Sequence, residues 1–91
     1  MSDKLSKFLD FLKYEKNASP HTISAYRCDL LQFKNYLKNK NLNWEQADNI
    51  VIRGFLAVLY EKKVKKSTSG RKLAAIRSFY QFCIQRKWMA D

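Results

Sequence analysis

Apolar residues recur at three- and four-residue spacing in four stretches of this chain, the period of an amphipathic helix. Leu5, Phe8, Leu9 and Leu12, separated by Lys and Asp, predict a first helix over about residues 2–16, which Asn17-Ala18 ends. Ser19-Pro20 marks the next start: a capping hydroxyl before a proline whose missing N–H is not needed at the first helical position. Ile23, Tyr26, Leu30, Phe33 and Leu37 then form one stripe to about Lys38, and Asn39-Lys40-Asn41 favours a turn. Residues 41–47 form a polar connection in which Trp44 is expected to close one end of the core. Asp48 is placed to cap a third helix reaching about Lys63, with Ile52, Phe55, Leu56 and Leu59 as its buried face. Gly54 weakens that helix by about 1 kcal/mol relative to Ala; it either permits close helix approach or is simply tolerated. Ser67 is expected to cap a fourth helix running to about Arg86, with Leu73, Ile76, Tyr80, Cys83 and Ile84 as its main stripe. Phe79 and Phe82 lie off that stripe, and a helix apolar over more than half its circumference is central to its fold. Trp88 and Met89 are expected to pack at the end. The pattern predicts an all-α, compact four-helix bundle.

Composition agrees. Two Gly and one Pro in 91 residues are too few for the frequent turns of an all-β design, and the length suits a single domain over residues 1–91. Charge adds more. The chain carries a net +10, and residues 46–91 hold ten basic side chains against three acidic ones. A lopsided basic field implies a polyanionic partner, although a merely Lys-rich soluble surface would look similar. Cys28 and Cys83 stand far apart, with no CxxC and no Cys/His cluster. Zinc is therefore disfavoured, and two free thiols in a reducing compartment are expected. The longest apolar run, Phe55 to Tyr60, cannot span a bilayer. Asp3, Asp10 and Glu15 interrupt any signal-peptide pattern, so a cytoplasmic location is expected.

Catalytic chemistry is missing. His21 is the single histidine; there is no HExxH, no GxSxG and no Walker-type loop. The carboxylates look scattered and mostly opposite in phase to the apolar stripes, and no cofactor, metal or small-molecule ligand is expected. The stretch Lys62 to Lys72 contains six cations and no acid. Arg71 and Lys72 fall in or just after the first turn of the fourth helix as read, where the dipole disfavours cations until an anion arrives. With Lys65, Lys66, Thr68 and Ser69 they make a phosphate-binding constellation; the alternative is a solvated charge run. On the second helix the outward face shows His21, Ser24, Ala25, Cys28 and Gln32, flanked by Arg27. Small polar residues suit a major groove, though such a face is more often just solvated. A basic helical module docking an acidic protein partner is the competing reading. No single basic amphipathic segment stands out, so a membrane-surface role is disfavoured.

The run Ser19-Pro20-His21-Thr22-Ile23-Ser24-Ala25-Tyr26-Arg27-Cys28-Asp29-Leu30, then Phe33, resembles the S-x-x-T-x-x-x-Y-x-x-D-L-x-x-F signature of the N-terminal core-binding domain of tyrosine recombinases. The run Ser67 to Phe82, with Arg71, Leu73, Arg77-Ser78-Phe79-Tyr80 and Phe82, resembles the last long helix of that domain in the Xer and phage-integrase branches. The resemblance implies a SAM-like helical bundle on one face of double-stranded DNA, opposite a catalytic domain that this chain lacks. It implies DNA contacts from the N-terminal halves of the second and fourth helices: His21, Thr22, Ser24, Ala25, Arg27 and Cys28, and Thr68, Ser69, Arg71, Lys72, Ala75 and Ser78. It further implies a role in DNA integration or recombination, a parent protein tetrameric on DNA, and a monomeric isolated domain. Cys28 stands where the family commonly has a basic residue.

Overall fold

A computed structural model describes residues 4–89. Four helices form: α1 (Lys4–Tyr14), α2 (Pro20–Asn39), α3 (Asn49–Glu61) and α4 (Lys66–Gln85), with a short 3-10 turn at Trp44–Gln46 before α3. No strand occurs among the described residues. The expected all-α, four-helix architecture is therefore the observed one.

The caps follow local chemistry. The Ser19 Oγ accepts a hydrogen bond from the Thr22 N–H at 3.2 Å, with Pro20 at the first helical position. Asp48 accepts from the Val51 N–H at 2.9 Å and starts α3. The C-terminal ends share one device. Asn17, Asn41, Lys63 and Lys87 each adopt positive φ, between 54° and 62°, just past the end of a helix. The following residue then turns its N–H back onto the helix: Leu42 to the Leu37 carbonyl, Val64 to Leu59, Trp88 to Cys83, and, one residue wider, Ala18 to Leu12. Those four returning residues all pack against the core, the apolar contact that accompanies such a left-handed cap.

That device corrects one expectation. Ser67 does not cap α4. The left-handed turn at Lys63 reverses the chain so sharply that Lys65 becomes the cap and α4 begins at Lys66. No side chain caps this end.

The core gathers Leu5, Phe8 and Leu12 from α1, Leu30, Phe33 and Leu37 from α2, and Phe55 and Leu59 from α3. From α4 come Ala75, Ile76, Phe79, Phe82 and Cys83. Helix α4 packs against all three others. Its buried arc is therefore wide and centred on Phe79, while Leu73, Tyr80 and Ile84 sit at its half-buried edges. Phe79 meets Phe8 edge-on at 5.6 Å and Trp44 at 4.6 Å between ring centroids. Trp44 does close one end of the core; its carbonyl accepts a 2.6 Å hydrogen bond from the Tyr80 hydroxyl. Burial pushes the Tyr80 hydroxyl's pKa up.

Gly54 has a packing reason. A Cβ there would lie 2.6 Å from the Tyr36 hydroxyl, and Tyr36 is itself packed on the rings of Phe33 and Phe55. The glycine makes room for the end of the Tyr36 side chain rather than for a close approach of the two helix backbones.

Candidate nucleic-acid interface

The site begins with an acid inside the core. Asp29 is fully buried, the one charged side chain that is so among the described residues. It lies on α2 three residues after Tyr26 and four before Phe33, in phase with the buried stripe. Its carboxylate receives a forked pair from Arg71 on α4: Nε donates to Oδ2 at 3.0 Å and Nη2 to Oδ1 at 2.9 Å. Lys72 Nζ donates to Oδ1 at 2.9 Å. Burial pushes the Asp29 pKa up, but the hydrogen bonds and charges of Arg71 and Lys72 outweigh it and hold the carboxyl below its ordinary value. Arg71 is correspondingly held more firmly protonated, through its hydrogen bonds to Asp29 and then that residue's charge.

This arrangement revises the expected role of two cations. Because α4 starts at Lys66, Arg71 and Lys72 lie in its second turn. The anion that balances them is internal. Lys72 is nearly enclosed, with 11% of its side chain exposed, whereas Arg71 keeps 47%. Lys72 is thus a packing cation, and Arg71 is both a packing cation and a surface one.

The other expected contacts divide by exposure. On α2, His21, Thr22, Ser24, Arg27 and Cys28 are exposed and Ala25 is half-buried. Thr22 shares its hydroxyl with Ser19 at 3.0 Å. On α4 and its cap, Lys65, Lys66 and Ser78 are exposed, and Thr68 and Ser69 are half-buried. Ala75 is a correction: it is wholly buried, because α4 presents that side to the core rather than outward. Ser78 opens toward α1, on a groove it shares with Leu12 and Lys16.

The two helices meet at Asp29, whose carboxylate is held by Arg71 and Lys72 from α4. Arg71 is thereby both tied to α2 and exposed at the cationic start of α4. Sequence reasoning missed Asp29 as the link, because the carboxylates are scattered and mostly out of phase with the apolar stripes. Its position on the Tyr26–Leu30–Phe33 line was the available signal.

Among the described residues, no group of three or more His, Cys, Asp or Glu could hold a metal ion. No helix is long and apolar enough to cross a membrane. Cys28 is an exposed free thiol; Cys83 is buried, and burial pushes its pKa up to about 11.

Residues 5–87 match the phage integrase N-terminal SAM-like domain, and the chain belongs to that family. Within it, the similarity runs to tyrosine recombinases. Tyrosine recombinase XerC of Halalkalibacterium halodurans is 41% identical over 88 residues, which is 96% of this chain and 29% of that one. XerC of Staphylococcus epidermidis is 40% identical over 90 residues, 98% of this chain and 29% of the relative. XerC of Natranaerobius thermophilus is 43% identical over 84 residues, 90% and 28% respectively. The chain thus spans less than a third of the length of these relatives. No solved structure matches it.

Proposed function

We propose that this chain binds duplex DNA as the N-terminal half of a tyrosine-recombinase clamp. The observation that carries the reading is Arg71, which pairs with buried Asp29 of α2 yet stays exposed on the cationic face where α4 begins. On this face Lys65, Lys66, Arg27 and Arg71 neutralise phosphates. The uncapped N–H groups at the start of α4 add donors of the kind phosphates take at helix N-termini. His21, Ser24 and Cys28 on α2 face the bases or sugars. Residues 1–91 act as a single core-binding domain. Cutting and rejoining of strands belong to a catalytic domain elsewhere in the parent recombinase, which works as a tetramer on DNA in the cytoplasm. The domain alone is a monomer and no enzyme.

A salt titration of duplex binding tests this. Phosphate contacts release counterions, so affinity falls steeply with salt. Lys65→Ala and Lys66→Ala should each weaken binding to every sequence and flatten the log–log salt slope by roughly one unit. No duplex binding at low salt, together with a stoichiometric complex with an acidic protein, would replace this reading with the protein-docking one.

A further inference from the structure

We infer that Asp29 is a positioning residue for DNA binding: from inside the core it fixes the Arg71 guanidinium so that its free edge faces the phosphate backbone. The inference rests on the DNA-binding reading above and deepens it. A guanidinium carries five N–H donors in one plane. Asp29 takes one from Nε and one from Nη2, which leaves three, one on Nη2 and two on Nη1. The carboxylate is fully buried, out of reach of a ligand. Lys72, fastened to the same Oδ1, restrains the carboxylate in turn. Nearly half of the Arg71 side chain still reaches solvent, on the face assigned to DNA. An arginine on an exposed helix otherwise samples many rotamers, and ordering it on binding opposes affinity. Here that ordering is already done within the fold.

Two effects of Asp29 oppose each other, and their signs differ. By charge alone, a carboxylate under a phosphate-binding face repels DNA, so removing it should tighten binding. By positioning, removing it frees Arg71 and should loosen binding. The positioning effect is the larger one, because the carboxylate is already neutralised by two cations at 2.9 Å.

The test measures affinity for a labelled duplex of mixed sequence at fixed low salt, with circular dichroism confirming the fold of each variant. Asp29→Asn should raise Kd about three- to tenfold although it makes the protein more positive. In an Arg71→Ala background, where Lys72 still pairs with Asp29, the same substitution should weaken binding no further. Arg71→Lys keeps the charge and leaves Asp29 paired, so it folds even if Asp29→Asn does not. It should lose the fork and bind several-fold more weakly than the parent chain. Unchanged or tighter binding by Asp29→Asn would overturn the inference. So would equal losses with and without Arg71, or parental affinity in Arg71→Lys. Absence of duplex binding by the unaltered chain is a separate result; it removes the DNA reading and this inference with it.

Discussion

At the scale of single residues, Asp29 has the strongest consequences for stability. A buried acid with two cationic partners gains little over an apolar group of the same shape, but breaking the set leaves uncompensated charge in the core. Asp29→Ala strands Lys72, which has little access to water, and should cost about 3 kcal/mol of unfolding free energy. Chemical denaturation midpoints will show it. The pH dependence follows from the direction of the shift. The folded-state pKa lies below the ordinary 3.8, so the ion set's contribution is complete above about pH 4 and is lost as pH falls through the lower folded value. Denaturation midpoints taken through that acid range should fall in the parent chain and change less in Asp29→Asn. The core hydrophobes were legible from their spacing, because each satisfies the helical period by itself. Asp29 was not, because an acid in phase with an apolar stripe becomes sensible only once two cations from 42 and 43 residues away are known to reach it.

At the scale of elements, the starts of α2 and α3, each with a capping side chain, were readable and that of α4 was not. Ser19-Pro20 and Asp48 each carry their own signal in adjacent residues. The start of α4 is instead decided by how α3 ends, through the left-handed Lys63, and no residue type announces that. Lys63 adopts φ 60° with a Cβ, a conformation that costs an L-residue about 1–2 kcal/mol, less the extra backbone entropy a glycine loses on folding. Lys63→Gly should therefore raise stability by about 0.5 kcal/mol. The two glycines inside helices make a matched pair. A Cβ at Gly70 meets nothing within 4 Å, whereas one at Gly54 meets the Tyr36 hydroxyl. Gly70→Ala should stabilise by about 1 kcal/mol, the full helix-propensity gain, and Gly54→Ala should gain less or lose. Thermal melts of the two variants, run together, separate packing from propensity.

At the scale of the whole molecule, the two thiols report on different things. Cys28 is exposed on the proposed DNA face, while Cys83 is sealed in the core with its pKa raised to about 11. A thiol reagent at neutral pH should label one cysteine per chain quickly. The second should follow only at the rate of global opening, and denaturant should bring it level with the first. Rapid labelling of both would mean that the α4 core opens locally. The all-helical class, the four-helix order and the basic asymmetry were all legible before the structure, since each is a sum over many residues. The division of the cations into those that hold the fold and those free for a ligand was not, since it depends on individual contacts between distant helices.

The central place of α4 constrains how such a domain can change over generations. One helix supplies both the middle of the core and part of the surface proposed for DNA, so its binding positions stand beside folding positions, and Arg71 answers to both. The start of α2 is freer: His21, Ser24, Arg27 and Cys28 are exposed and stand outside the hydrophobic core. A lineage acquiring a new target would alter those four positions and leave α4 nearly untouched. In a library randomised at both helices, altered sequence preference should accordingly come from α2, and most losses of soluble protein from α4.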